Sequence, residues 1–342
     1  MKWAPLIQCF GQYARCIPAL LVFAFFPRYA MPQSNSFASL ELPATAVVSG
    51  IGGVNVSKAD YSVGFFQNNP ALSSDTLNGW ASASYLFYFA GTGLSSFAYQ
   101  HDFKKIGALG FAVGHMDLGT VDGYDKVGAP TSTFNAGETT LTVGKAFHAN
   151  HFRFGANMKG VFSNLAGYRA VALLVDLGGA FVHPTKDLSV GLVIKNAGAV
   201  LDEYSATSTS TLPFDVQAGI TFKPEHMPVR FSGTAYRLTD YKVPFELLDS
   251  AGGASTLDKV LAHLTFGAEL MVHKNVNILF GYNYLKHKEL KMETVGGGSG
   301  VSVGAVVRLS WLDFAFSRTG YVTGGAYQFS LGLDTHRILN RK

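Results

Sequence analysis

Apolar and polar positions alternate with period two along most of the chain beyond residue 77. In Val301–Trp311, Val301, Val303, Ala305, Val307, Leu309 and Trp311 share one face, and Ser302, Gly304, Val306, Arg308 and Ser310 share the other. Phe214, Val216, Ala218, Ile220 and Phe222 oppose Asp215, Gln217, Gly219, Thr221 and Lys223. Phe152, Phe154, Ala156 and Met158 oppose Arg153, Gly155, Asn157 and Lys159, and Tyr327, Phe329, Leu331 and Leu333 oppose Gln328, Ser330, Gly332 and Asp334. A period of two is the signature of a strand with one greasy face. About fourteen such segments follow one another, near 78–89, 92–102, 106–116, 136–148, 151–164, 168–182, 187–200, 213–223, 228–239, 263–273, 275–286, 300–310, 312–319 and 325–335. Most run about ten to fourteen residues, enough to cross a bilayer core at a tilt, whereas soluble strands average about five or six.

The connections sort by length. Short ones follow even-numbered strands: 103–105, 149–150, 183–186, 224–227, 274 and 311. Long ones, 117–135, 201–212, 240–262 and 287–299, follow odd-numbered strands. Short turns at one end and long loops at the other define an outer-membrane barrel with its long loops outside the cell. Charges such as Arg153, Lys159, Asp215 and Arg308 then belong to the lumen, because a lysine or arginine facing lipid near the midplane costs about 2–4 kcal/mol. An even strand count puts both termini on the periplasmic side. Tyr85, Phe87, Tyr88, Phe89, Tyr168, Tyr204, Tyr282, Tyr284, Tyr321 and Tyr327 fall at strand ends, as in aromatic girdles. The spacing of Thr256-Leu-Asp-Lys-Val-Leu-Ala262 suits a short helix.

The first 77 residues differ. Lys2 and Arg15 precede the apolar run Ile17-Pro-Ala-Leu-Leu-Val-Phe-Ala-Phe-Phe26, the core of a signal peptide and too short to span a bilayer. Residues 1–30 are therefore expected to be the signal peptide, with cleavage near Ala30. Cys9 and Cys16, both cysteines of the chain, precede that run and leave with it, so disulfides and thiol catalysis are excluded. Residues 31–77, rich in small and turn-forming residues, are expected to be a plug in the lumen or a periplasmic arm, with 78–342 forming the barrel.

Composition agrees. Charged residues are 15% and aromatics 13% of the 342 residues, with 38 glycines and a net charge of +4 without a basic block. Soluble domains carry about 25% charge. Nucleic acid is not an expected partner.

Chemistry is sparse. G-x-S-x-G, H-E-x-x-H and the phosphate-loop motif are all missing from the sequence. His148 and His151 flank a turn, and His101, His183, His226, His273 and His336 sit at similar strand edges, which suits interface chemistry better than a metal set. His115, Asp117 and Asp122 could form an acid–base group at the rim, but too few acids and histidines converge there for catalysis. No cofactor or metal is expected, and the chain is read as a non-enzyme.

Ser39-Leu-Glu-Leu-Pro43, Gly50-Ile-Gly-Gly53 and Asn69-Pro-Ala-Leu72 resemble the start of the PorQ family, outer-membrane proteins of the type IX secretion system. Phe134-Asn-Ala136, Gly155-Ala-Asn-Met-Lys159, Tyr168, Asp176-Leu-Gly178, Asn196-Ala-Gly198, Tyr204 and Leu212-Pro-Phe214 continue the resemblance in order, over roughly 36–240. The family is similar to the fatty-acid-channel barrels. The resemblance implies a fourteen-stranded barrel anchoring a PorZ-like surface protein of the attachment complex, alongside a PorU-like sortase and a PorV-like barrel, in contact with outer-membrane lipid and lipopolysaccharide. The expected fold is thus all-β, a transmembrane antiparallel barrel of about fourteen strands with an N-terminal plug-like segment. The expected function is a surface-protein anchor, the alternative a fatty-acid-channel-like transporter of hydrophobic small molecules. Exposure and residue type nominate Tyr124, Tyr204, Tyr241, Phe245 and Leu248 as partner-binding residues.

Overall fold

The computed structural model describes residues 36–59, 62–124, 127–239, 256–289, 298–321 and 324–339. The expected signal peptide and Tyr241, Phe245 and Leu248 lie outside these. Fourteen antiparallel strands follow in chain order: β1 (Trp80–Phe87), β2 (Gly93–Phe103), β3 (Gly107–Tyr124), β4 (Pro130–Ala149), β5 (Phe152–Leu165), β6 (Tyr168–Val182), β7 (Leu188–Asp202), β8 (Asp215–Phe222), β9 (Val229–Ala235), β10 (Leu264–His273), β11 (Val276–Asn283), β12 (Val301–Arg308), β13 (Leu312–Tyr321) and β14 (Gly324–Asp334). Each pairs with its chain neighbours, and β14 returns to β1 from Trp80↔Asp334 to Phe87↔Tyr327. Closure leaves no edge with unpaired amides, which lipid could not solvate.

The alternation sorts the two faces of the wall. On β5, Phe152, Phe154, Met158 and Phe162 are exposed while Asn157, Lys159 and Val161 are buried. On β12, Val301, Val303 and Val307 are exposed and Ser302, Gly304 and Val306 are buried. The outside is thus an apolar belt and the inside polar, as in an outer-membrane barrel.

The long connections gather at one end, called outer here, and the short turns at the other, inner end. The expected loop 117–135 is instead a strand hairpin: β3 runs to Tyr124 and β4 starts at Pro130, with Asp122 opposite Thr133. Both faces of this extension meet water, so it has no greasy row to betray it, and Gly119 takes a bulge at φ +82° with its amide donating to Asp117 Oδ1 at 2.8 Å. The helix expected at 256–262 is present as a helix over Thr256–Ala262, and a second covers Tyr284–Glu289, where β11 was expected to continue.

Residues 36–59 and 62–79 lie inside the barrel. The short helix α1 (Ala46–Gly50) is buried throughout and starts at Thr45, whose hydroxyl accepts from the Val48 amide at 3.4 Å. In chain order the helices beyond it are α2 (Thr256–Ala262), α3 (Tyr284–Glu289) and α4 (Thr335–Leu339). Where α1 meets the wall, the inward residues are small: Ser302, Gly304, Ala315, Ser317 and Thr319. The segment starts at the outer end, where the Ser36 amide donates to the Thr211 carbonyl and the Thr211 amide to Ser36 Oγ, both at 3.1 Å. It ends at the inner end, where Gly79 accepts from the amide of Thr335, the first residue of α4. The first described residue and the last described helix lie at opposite ends; the termini, expected on the periplasmic side, lie outside the described residues.

Candidate functional site

The lumen has two storeys, built differently. In the inner one, the wall is moulded to the enclosed segment by glycines that face each other across adjacent strands. Gly110 opposes Gly144, Gly155 opposes Gly178 and Gly191 opposes Gly219, and a fourth pair, Gly267 opposite Gly281, lies higher, toward the outer ends of β10 and β11. The first pair seats the Phe66 ring, 3.1 and 2.8 Å from where their Cβ atoms would be. The second seats Asn69 and Pro70, whose carbonyl carbon would lie 2.5 Å from a Cβ at Gly155. The third seats Val56 and Ser57, and the fourth Ile51 and Gly52. Asn69 adds hydrogen bonds from Nδ2 to the carbonyls of Val56 and Gly179, at 2.8 and 3.2 Å.

A buried ionic group fastens the same segment. Lys58 pairs with Glu269, both almost wholly buried, and Arg230 reaches the same carboxylate oxygen at 3.0 Å. Asn277 donates to the other oxygen at 2.7 Å, and Arg230 also pairs with Asp187 at 3.0 Å. Glu269 is thus saturated with donors, the condition under which a buried charge is tolerated.

The outer storey is looser. Phe37 is fully buried against Val161, Ala170, Ala172, Leu174 and Leu212, with Leu40, Val200 and Tyr204 at the margin. Besides the Ser36–Thr211 hydrogen bonds, polar ties hold this part of the segment: the Ser39 amide on Glu138 Oε2 at 3.0 Å, and Arg237 on Glu41 at 3.3 Å. Beneath lies a charged cluster. Lys159 pairs with Asp176 at 2.6 Å and donates to Asn196 Oδ1 at 3.0 Å. Asn196 sits at φ +57°, a conformation that asparagine tolerates, and its amide donates to Asp176 Oδ1 at 2.9 Å. Here the β6–β7 ladder shifts register between Val175 and Leu177. A second interruption follows β9, where Arg237 has φ +54° and the Arg237 and Leu238 amides donate to the Asp215 carboxylate at 2.9 and 3.1 Å. Gln217 Nε2 also donates to Asp215, at 2.7 Å.

Between these two interruptions stands Lys195, opposite Asp215 in the β7–β8 ladder. It points into the lumen, is half-buried, and lies within the electrostatic reach of Lys159, Asp176, Asp215 and Glu41. Asp215 spends its oxygens on the two backbone amides and Gln217, and the Lys195 amine makes no hydrogen bond or ion pair with any described residue. A cation with no partner among the described residues, on a strand that also borders the apolar Phe37 cluster, suits an anionic head group on a hydrophobic body.

The residues nominated from sequence fare unevenly. Tyr204 is not an exposed anchor: its hydroxyl donates to Ser163 Oγ at 2.6 Å and its ring packs on the Phe37 cluster, because the 203–214 connection folds inward over the lumen. Burial pushes its phenol above the ordinary tyrosine range. Tyr124 is the last residue of β3, opposite Pro130. Among the histidines, His183 Nδ1 accepts from the Thr185 and Lys186 amides at 3.2 and 3.0 Å and His273 Nδ1 from the Asn275 amide at 3.3 Å, so both brace turns. His115 bonds Thr139 Oγ1 at 2.9 Å rather than Asp117. Sequence reading missed Lys195 and Phe37. Asn196 and Asp176 were in view only as pieces of short motifs.

No protein-family model matches the chain, and no curated protein matches it; the resemblance to the PorQ family finds no support there. Among solved structures, the chain is similar to the Ralstonia pickettii toluene transporter TbuX, at 12% identity and a TM-score of 0.49, covering 86% of this chain and 98% of that one. It is also similar to a mutant of the monoaromatic hydrocarbon channel TodX, at 12% and 0.46 with 84% and 96% covered. A Pseudomonas aeruginosa FadL homologue gives 9% and 0.47, with 86% and 98% covered. Likeness at this level carries no functional weight.

Proposed function

We propose that this outer-membrane barrel binds small hydrophobic molecules with an anionic head group in its outer storey and passes them inward. The observation that carries the reading is Lys195, a lumen-facing amine without a partner among the described residues, on the same strand as Val200, which borders the apolar cluster around Phe37. The straight route below is filled by the seated segment. Onward movement goes through the wall, at the two ladder interruptions that Asp176 and Asp215 cap. The test is binding of a fluorescent long-chain fatty acid to the detergent-purified barrel. Lys195→Met should weaken binding about tenfold, equivalent to roughly 1.4 kcal/mol. Binding unchanged in that variant refutes the reading.

A second reading has one observation in its favour. Leu257 and Val260 on α2 are 66% and 55% exposed at the outer end, an apolar face fit for a protein partner. In that reading the chain is the surface-protein anchor that the PorQ resemblance implies. A mild-detergent pull-down from outer membranes, lost on Leu257→Ser with Val260→Ser, would favour it over transport.

A further inference from the structure

Arg318 stands on the lipid side of the wall. On β13 the inward residues are Ala315, Ser317 and Thr319, all buried; the outward row is Phe314, Phe316 and Arg318. Arg318 pairs across the sheet with Val303 on one side and Tyr327 on the other, both exposed. Its guanidinium lies over the Tyr327 ring, 5.9 Å from the centroid. It also crosses Gly325, where a Cβ would come within 2.8 Å of Nε. Gly325 opposes Gly320, so the side chain runs toward the outer end of the strand, away from the middle of the belt.

No described carboxylate pairs with Arg318, and no described acceptor takes its protons. An arginine is costly on the lipid face near the midplane and nearly free at the interface, where its stem can lie on apolar wall while the head reaches charge. Phosphate is the anion found at that depth, and the planar fork of a guanidinium matches it in two-pronged fashion. The flanking apolar residues Phe316 and Phe329, in ring contact at 5.0 Å, offer the adjacent groove to an acyl chain.

We propose that Arg318, braced by the Tyr327 ring and given room by Gly325, binds the phosphate of an outer-leaflet lipid head group. The site is separate from the lumen and stands whether or not the proposed transport does. The probe is phosphorylated lipid A in mixed micelles with the full-length purified barrel, read by native mass spectrometry, with heat-modifiable gel mobility as the check on folding. Arg318→Gln should bind about tenfold more weakly and Arg318→Lys should fall between it and wild type. Gly325→Val, which pushes the guanidinium off its seat, should weaken binding without touching the charge. Enzymatically dephosphorylated lipid A should bind wild type as weakly as intact lipid binds Arg318→Gln. Three results each overturn the proposal: Arg318→Gln binding like wild type, dephosphorylated lipid binding like intact lipid, or millimolar inorganic phosphate alone displacing the lipid.

Discussion

The inner storey of the lumen and the outer one are filled by the same N-terminal segment, yet they hold it by opposite means. Below, three pairs of facing glycines clear the wall's own side chains from the contact, so the Phe66 ring, Pro70 and the Val56–Ser57 backbone lie directly on wall backbone, and Glu269 locks the result with three donors. Above, one phenylalanine and a few polar ties do the holding, and Lys195 has no partner among the described residues. Complementarity that close leaves little room to move, since interiors at native density resist even one added methylene. A site for a guest needs the reverse: some unspent polarity and an occupant that can be displaced. The difference divides one chain into a fixed stopper and a receptive mouth.

The sharpest way to break this division is Glu269→Leu. It removes the carboxylate that Lys58 and Arg230 share, and removing one partner of a buried ion pair costs about 3–5 kcal/mol. The expected outcome is a large fall in the temperature of heat modifiability and a rise in outer-membrane permeability to bulky antibiotics. Gly191→Val comes next. It drives a side chain into Val56 and Ser57 and should cost about 1–3 kcal/mol by overpacking, with the same two readouts moved less far. Smallest in stability is Lys195→Met, which should shift thermal stability by less than about 1 kcal/mol while lowering fatty-acid binding. Equal destabilisation by Lys195→Met and Glu269→Leu would erase the distinction between the storeys.

How much of this could be read from sequence follows from what each feature depends on. Strand β6 needs only alternation along one stretch, and its expected range 168–182 is the observed one. The hairpin beyond Asp117 depends on water meeting both faces, which removes the alternation and leaves only β-branched residues such as Val121, Thr131 and Thr133 as a faint trace. The facing glycines were countable as composition, but their pairing depends on register between strands, which no single strand encodes. The exposure of Tyr204 differs from expectation for a related reason: its residue type suits an exposed anchor, while its place in a connection that folds inward is a tertiary fact. Lys195 is ordinary in sequence and notable only because Asp215, its neighbour across the ladder, is engaged elsewhere.

The seam between β1 and β14 carries a consequence for how the molecule comes together. Strand β14 touches the enclosed segment directly: Gln328 donates to the Pro43 carbonyl at 3.0 Å and Ser330 Oγ accepts from the Ala46 amide at 2.8 Å. Eight cross-strand pairs then zip β14 to β1. The last stave is therefore shaped in part by the peg it shuts in, and truncating residues 31–47 is expected to slow closure of the hoop, read as slower appearance of the heat-modifiable form on refolding. Once closed, the peg leaves only if that ladder is torn open, which makes its retention a matter of rate as well as of equilibrium.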